Sequence, residues 1–556
     1  MQGLMQDHPL LISSLLQHAA TNHSKTGIIS LDRDAAGASL GTVTKTGYGD
    51  LAKRAAQLAH ALVKLGVGHG DRIATLAWTD QRHFELYYGI SGIGAICHTV
   101  NPRLFPEQIT YIIRHAEDRW IFVDPTILPV LESICDEIAD VPEGIVVMAD
   151  AVPETKLSGR IPLLAYEDIV APEPVTYDWP VFDENTASSL CYTSGTTGNS
   201  KGVLYSHRST LLHTWAIASP EAIAMHAGTT ILPIVPMFHA NAWGTIYAAT
   251  MTGASLAMPG PRLDGQSLYE LITAAEATYI GGVPTVWMGL LDYLRKSGNK
   301  LPEGLRGIAG GSALPPALSE AFWKEHRLRI DHGWGMTELS PVGAYNMPAK
   351  PLSRMTDEEL LEGAIKQGRA PYGIALKIID DDGKEIPRDG KTVGELVVRG
   401  PWVTRGYYND DAANAAAFTA DGWFRTGDVA TIDEDGFILL VDRVKDLIKS
   451  GGEWISSIDL ENLALTLPGI KEAAAVPARH KKWDERPLVI AVREENSNVD
   501  ADSLRAHLAQ TLAKWMLPDA IVFVDELPHT ATGKIMKRAL RDEYADYLEK
   551  RDLDQA

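Results

Sequence analysis

Tyr192-Thr193-Ser194-Gly195-Thr196-Thr197-Gly198-Asn199-Ser200-Lys201-Gly202-Val203 is a run of small hydroxyl residues and glycines closed by one lysine. Glycines let a backbone come close to an anion, hydroxyls and amides donate to phosphate oxygens, and lysine supplies a point charge. The run therefore reads as a phosphate cradle. It is not of the Walker type, which would need glycine at Ser200 and a hydroxyl at Gly202. A polar loop between a strand and a helix accounts for most such segments taken singly. On either side, Ala187–Tyr192 reads as a lead-in strand and 209–225 as a helix.

Further motifs follow in order: Gly310-Gly311-Ser312-Ala313, Gly333-Trp334-Gly335-Met336-Thr337-Glu338, Thr426-Gly427-Asp428, Asp442-Arg443-Val444-Lys445-Asp446, Ser450-Gly451-Gly452-Glu453-Trp454 and Thr532-Gly533-Lys534. Together they resemble the signature motifs of the adenylate-forming superfamily of acyl- and aryl-CoA ligases, peptide-synthetase adenylation domains and luciferases. Within it the chain is most similar to medium- and long-chain acyl-CoA ligases and their methylmercaptopropionate-CoA ligase relatives, from about Leu10 to Arg541.

The resemblance implies an α/β fold. A large N-terminal domain, 1–441, would hold mixed, mainly parallel sheets flanked by helices, plus a β-subdomain. A hinge at 442–446 would lead to a small, mobile α+β domain, 447–556. The implied reaction is AMP-forming ligation of a carboxylic acid to CoA with ATP and Mg2+. Thr193, Ser194, Gly195, Thr196, Thr197, Gly198 and Lys201 would hold the β- and γ-phosphates, and Thr196 and Glu338 would bracket Mg2+. Gly311, Ser312, Ala313, Asp331, His332, Gly333, Gly335, Met336 and Thr337 would line the nucleotide site. Trp334 stands where the family stacks a smaller aromatic on adenine. Asp428 would accept from the ribose hydroxyls with Arg443 assisting. Lys534 would bridge the attacking carboxylate and the α-phosphate, Lys445 would be the pivot, and Lys449, Gly451, Gly452, Glu453 and Trp454 would line the nucleotide and pantetheine path. His239 and Trp243, in the aromatic-His-x-x-x-Trp element, would line and gate the acyl site beside Gly311.

The acid is implied only broadly. The segments Pro236 to Ala249 and Gly281 to Leu291 carry no basic residue to pair with a second carboxylate, which favours an apolar tail. Medium or long fatty acids come first, then short thio-substituted acids such as 3-methylmercaptopropionate or arylalkanoic acids. Adenylation with another acceptor and a catalytically silent nucleotide sensor are the competing readings. A serine hydrolase is disfavoured, since a nucleophile elbow would need glycine at Leu314.

Bulk properties bound the rest. A chain of 556 residues exceeds one ordinary core, so two or more domains are expected. A net charge of -21 argues against nucleic acid, whose binding requires clustered Lys and Arg. Cys97, Cys135 and Cys191 are widely spaced, which suggests a reducing compartment and buried packing. No run is apolar enough to span a bilayer and no leader pattern opens the chain, so a cytoplasmic location without integral membrane association is expected. A homodimer is what the relatives suggest.

Along the chain, 10–23 and 48–65 read as helices, and Gly92-x-Gly94 as close helix packing, since a dinucleotide loop would need a third glycine where Cys97 stands. Residues 125–139 read as one helix, 153–185 and 348–368 as surface excursions, and 375–379 and 394–399 as β-hairpin strands. The terminal stretch 537–550 reads as a charged helix with a solvated face.

Overall fold

The computed structural model describes the chain apart from residues 2, 35–36, 194–198, 349–351, 452, 530–534 and 555–556. Strands alternating with helices give two large sheets. One has seven strands, in the order Leu163–Ala165, Gly144–Val147, Trp120–Val123, Arg72–Leu76, Ile96–Thr99, Ala187–Tyr192 and Gly202–Ser206. The other has eight, in the order Val342–Tyr345, Ile330–Gly335, Arg306–Ala309, Tyr279–Gly282, Thr230–Pro233, Ser255–Met258, Gly27–Arg33 and Ser39–Gly47. Both are parallel inside; the eight-stranded sheet ends in an antiparallel strand at each edge, the seven-stranded one only at Gly202–Ser206. Parallel strands must be covered on both faces, which is why they read as short apolar runs bounded by glycines.

Helices Ile12–Asn22, Tyr48–Lys64, Gln81–Gly92 and Thr245–Thr252 contribute to the largest core, which also takes in residues of both sheets. Tyr48, Phe84, Tyr87, Tyr88 and Tyr247 are buried in it, each contributing on the order of 1.5–3 kcal/mol of apolar burial. Gly92 packs as expected: a Cβ there would lie 2.3 Å from the ring of Trp179.

A four-stranded antiparallel sheet follows, Ala375–Ile379, Gly394–Arg399, Phe424–Ile432 and Ile438–Arg443. The C-terminal lobe is a five-stranded sheet centred on Ile470–His480 and Asp484–Arg493, backed by helices Ser457–Leu465 and Ala501–Leu508. A large N-terminal domain and a small C-terminal one are therefore both present.

Four local expectations need correction. Residues 125–139 form a 3-10 turn and two short helices, Leu128–Ser133 and Cys135–Ile138, because Pro125 and Pro129 each start a new turn. The excursion 153–185 supplies the edge strand Leu163–Ala165 and the buried Tyr166, whose hydroxyl donates to Glu85 at 2.8 Å. Within 348–368, Thr356 caps the helix Asp357–Ala364. The terminal stretch makes two helices, Lys537–Tyr544 and Tyr547–Asp554, with Leu540 and Leu548 buried against the small lobe. Charge hides this apolar stripe in the sequence.

Candidate active site

Strands of both large sheets end at one cleft, where open α/β sheets bind ligands. The cradle does not join a strand to a helix. It joins two antiparallel strands, Ala187–Tyr192 and Gly202–Ser206, and the helix follows only at His207. Thr193 and Lys201 close its neck reciprocally: the Thr193 amide donates to the Lys201 carbonyl at 2.9 Å, and the Lys201 amide donates to Thr193 Oγ1 at 3.1 Å. His115 Nδ1 meets the Tyr192 hydroxyl at 2.7 Å, fixing the approach from behind. Ser194, Gly195, Thr196, Thr197 and Gly198 lie outside the described residues.

The segment Thr404 to Tyr408 wraps the neck, which no motif had indicated. The Tyr408 amide donates to the Gly202 carbonyl at 2.8 Å, and the Thr404 amide donates to the Glu338 carbonyl at 2.7 Å. The Tyr407 hydroxyl donates to Glu338 Oε1 at 2.7 Å, while the Lys201 ammonium sits 4.7 Å from the Tyr407 ring centre. The Tyr205 hydroxyl donates to the Thr337 carbonyl at 2.6 Å. Burial pushes the Glu338 carboxyl above the usual glutamate range, and the Tyr407 bond with nearby Arg443 and Lys201 opposes that rise.

Asp428 is buried between two donors. The Trp334 indole N–H reaches Oδ2 at 2.8 Å, and Arg443 Nε lies 3.1 Å from Oδ1. Strand pairing sets Asp428 directly opposite Arg443. Trp334, where the resemblance puts a ring against adenine, is buried. Its indole packs in the core with Leu339 and Trp402 while its N–H holds Asp428. Asp331 is buried with its carboxylate 2.8 Å from Arg329 Nε, and burial pushes it up to about 6. His332 is buried and neutral, its pKa lowered by burial. Its Nδ1 lies 3.1 Å from Gln367 Nε2 and 3.2 Å from the Ile365 carbonyl, and its Nε2 lies 3.2 Å from the Ser312 carbonyl. That bond ties down the Gly311-Ser312-Ala313 turn, whose Gly311 is at φ +84°. Gly333, Gly335 and Met336 extend the strand Ile330–Gly335 toward Thr337 and Glu338.

On the acyl side, Ala240, Asn241, Ala242 and Trp243 all lie in the left-handed region, φ +43° to +55°, ahead of Gly244 at +74°. Each non-glycine residue there costs roughly 1–2 kcal/mol, so the turn persists only because its surroundings fix it. Asn241 does much of this: Oδ1 accepts from the Tyr87 hydroxyl at 3.1 Å and from Cys191 Sγ at 3.3 Å, and Nδ2 donates to Ser189 Oγ at 3.0 Å. The turn presents Trp243 into an apolar cavity with Val235, Gly281, Ile308 and Val342. His239 stands half-buried at its start, its carbonyl accepting from the Ala242 amide at 3.2 Å.

The small lobe meets the large one at Asp442, whose Oδ2 accepts from both the amide and the hydroxyl of Ser457 at 2.6 Å. Lys445 lies beyond it, its pKa lowered by partial burial and by the cations Lys201, Arg541, Arg538 and Arg443. Cations of both lobes thus lie near Lys445. Lys449 and Trp454 pair across a short hairpin, ammonium 4.5 Å from the indole, beside Gly451 and exposed Glu453. Gly452 and Lys534 lie outside the described residues.

Two lobes joined beside the Thr193–Lys201 neck, with Glu338 and Asp428 buried nearby, are the arrangement expected of an adenylate-forming enzyme. The chain belongs to the AMP-binding enzyme family: the model for the AMP-binding enzyme matches residues 16–408, and that for its C-terminal domain matches 459–534. Among its relatives, a 3-methylmercaptopropionyl-CoA ligase of Ruegeria lacuscaerulensis is 47% identical over 99% of this chain and 100% of its own length. A medium-chain-fatty-acid–CoA ligase of Ectopseudomonas oleovorans is 47% identical over 99% of this chain and 98% of its own. The crystal structure of an anthranilate-CoA ligase with anthranoyl-AMP superposes with a TM-score of 0.83 at 25% identity, covering 98% of this chain and all of the other.

Proposed function

We propose that this enzyme activates a carboxylic acid, most readily a medium- or long-chain fatty acid, with ATP and passes the acyl group to CoA. The observation that carries this is the pairing of the Thr193–Lys201 neck with Asp428 and Glu338 around one cleft, in a chain whose relatives named as CoA ligases match it end to end.

An acid oxygen attacks the α-phosphorus, the bond to pyrophosphate breaks, and acyl-AMP forms. The CoA sulfur then attacks the acyl carbon, its proton leaves, and AMP departs. Both steps place charge on phosphate oxygens, so the protein acts by positioning and electrostatics. Thr193 and Lys201 with the cradle hold the β- and γ-phosphates, Asp428 accepts from the ribose hydroxyls, and Lys534 contacts the attacking carboxylate. His239, Gly311 and Trp243 border the carboxyl group. Glu338 and Thr196 suit Mg2+, a hard ion that takes oxygen ligands. Among the described residues no cluster of three His, Cys, Asp or Glu forms, so phosphate and water would complete its shell. When bound, the ion neutralises phosphate charge.

Rotation of 447–556 about 442–446 would replace Lys534 by the Lys449–Trp454 hairpin, opening a path for pantetheine. Support for the pivot is that Lys445 is exposed while Asp442 is fixed to Ser457. The unpaired, buried cysteines favour a cytoplasmic setting. Among the described residues no helix is long and apolar enough to cross a membrane.

The test supplies ATP, magnesium, CoA and an acid panel to the purified protein. AMP, pyrophosphate and acyl-CoA are expected in equal amounts; ADP, or no nucleotide product with any acid, overturns the reading. Lys534→Ala should lose acyl-AMP formation by about a hundredfold or more while still forming thioester from supplied acyl-AMP. A second reading, 3-methylmercaptopropionate as the acid, is favoured by the Ruegeria relative and belongs in the same panel.

A further inference from the structure

Behind the cradle neck the fold gathers a cluster of rings from segments far apart in the chain. Tyr192 ends its strand opposite Gly202, and the reciprocal Thr193–Lys201 bonds follow one position further on. The Tyr192 hydroxyl lies 2.7 Å from His115 Nδ1. His115 stands in the last turn of the helix Pro106–Ala116, stacked on Tyr111 with 5.3 Å between ring centres and 21° between planes. The Tyr192 and Tyr408 rings both meet it edge-on, each with centres 5.8 Å apart. A second histidine, His98, has its ring centre 5.1 Å from that of Tyr192 and its Nδ1 2.7 Å from the Asp118 carboxylate, with both members of that pair buried. A buried pair of this kind is costly to desolvate, and once satisfied it rigidifies what surrounds it.

These contacts bear on Lys201 through Gly202. A Cβ at Gly202 would lie 3.2 Å from the Tyr192 ring and 3.2 Å from Tyr408 Cβ, so both side chains rest against the backbone there. The Tyr408 amide donates to the Gly202 carbonyl at 2.8 Å, and the adjacent Tyr407 ring has the Lys201 ammonium 4.7 Å from its centre. Gly202 is thus gripped between the strand that enters the cradle and the segment that wraps it. A phenylalanine at position 192 would fill the same space as the tyrosine. What the hydroxyl adds is direction, since it ties the neck to the helix Pro106–Ala116, and a single hydrogen bond fixes where the ring presses. The neck serves the β- and γ-phosphates, which leave as pyrophosphate before CoA reacts. A loosened neck therefore acts on acyl-AMP formation and spares the thioester step.

We propose that His115 and Tyr192 are positioning residues for ATP, a brace that sets the cradle neck from behind. The proposal rests on the acyl-CoA ligase reading above. Its test measures acyl-AMP formation and, separately, thioester formation from supplied acyl-AMP. Tyr192→Phe and His115→Leu should each raise the KM for ATP about three- to tenfold, as the loss of one hydrogen bond does, with the KM for acid and the thioester step unchanged. The double variant should be no worse than either single one, because both remove the same bond. His115→Asn, which keeps a polar atom near the place of Nδ1, should recover most of the loss. An unchanged KM for ATP in Tyr192→Phe overturns the brace, and so do an equal loss in both half-reactions, additive effects in the double variant, or a His115→Asn no better than His115→Leu. Tyr192→Phe, which loses one oxygen, decides alone if His115→Leu does not fold. Direct titration with ATP keeps the two readings apart: wild-type protein that binds ATP yet releases no AMP with any acid removes the ligase reading, and the ATP affinities of the variants then judge the brace.

Discussion

Around the nucleotide, side chains meet in directional pairs: Trp334 with Asp428 at 2.8 Å, Tyr407 with Glu338 at 2.7 Å, the Lys201 amide with Thr193 Oγ1 at 3.1 Å. Around the acyl cavity, Trp243, Ile308, Val342 and the Tyr279 and Tyr345 rings meet by shape, with a left-handed turn supplying the placement. On the proposed reading one half of the cleft would recognise charge at fixed points, and the other would select its ligand by volume. A hydrogen bond to a charged group is worth about 1.5–3 kcal/mol and a methylene about 0.8 kcal/mol, so on the proposed reading the nucleotide would be held at few points and the acid at many weak ones.

If the two halves are separable in this way, substitutions should split cleanly between ATP and acid parameters. Asp428→Ala should have the largest effect. It removes two charge-assisted bonds to the ribose, at about 1.5–3 kcal/mol each, so kcat/KM for ATP should fall about a hundredfold or more with little change in the KM for acid. A comparable rise in the acid KM would break the division.

Tyr407→Phe comes next, at about tenfold in kcat/KM for ATP, and it also carries a pH signature. Burial raises the Glu338 pKa, so activity that needs the carboxylate is lost as pH falls through that raised value. The Tyr407 hydroxyl favours the ionised form, and removing it raises the pKa further. The acid limb of the pH–rate profile should therefore move to higher pH; a shift to lower pH contradicts the assignment.

Gly310→Ala probes the other half. A Cβ there would come within 2.8 Å of the Trp243 ring and 3.2 Å of the Gly333 carbonyl. Overpacking of this kind costs about 1–3 kcal/mol, so the acid KM should rise several-fold while the KM for ATP stays constant. The smallest effect is expected from thiol reagents. Cys97, Cys135 and Cys191 are buried, and burial pushes the Cys191 thiol up to about 11. Alkylation under native conditions should leave the rate unchanged, and rapid inactivation would show that the strand Ala187–Tyr192 opens.

The grouping of Thr193, Lys201, Glu338 and Asp428 was legible because phosphate and ribose would demand particular atoms at particular spacings along one chain. Glycine, hydroxyl and lysine in the cradle, and the acidic residues Glu338 and Asp428, announce their chemistry locally. Tyr407 was not legible, since a tyrosine after Arg405-Gly406 has no meaning until Gly202 and Glu338 are brought beside it. For Trp334 the sequence gives an aromatic ring, and only the fold shows that its N–H meets Asp428.

The order of strands and helices, the two-lobe division and the phosphate loop follow from the chain itself, because glycine spacing, apolar periodicity and charged residues act within a few positions of one another. Tertiary structure alone decided that the cradle joins two antiparallel strands, that Asn241 holds a left-handed turn from three sides, and that Tyr279 and Tyr345, 66 residues apart, close one cavity. Those facts depend on contacts between distant segments, and a side chain that reads locally as ordinary core carries no mark of the partner it will meet.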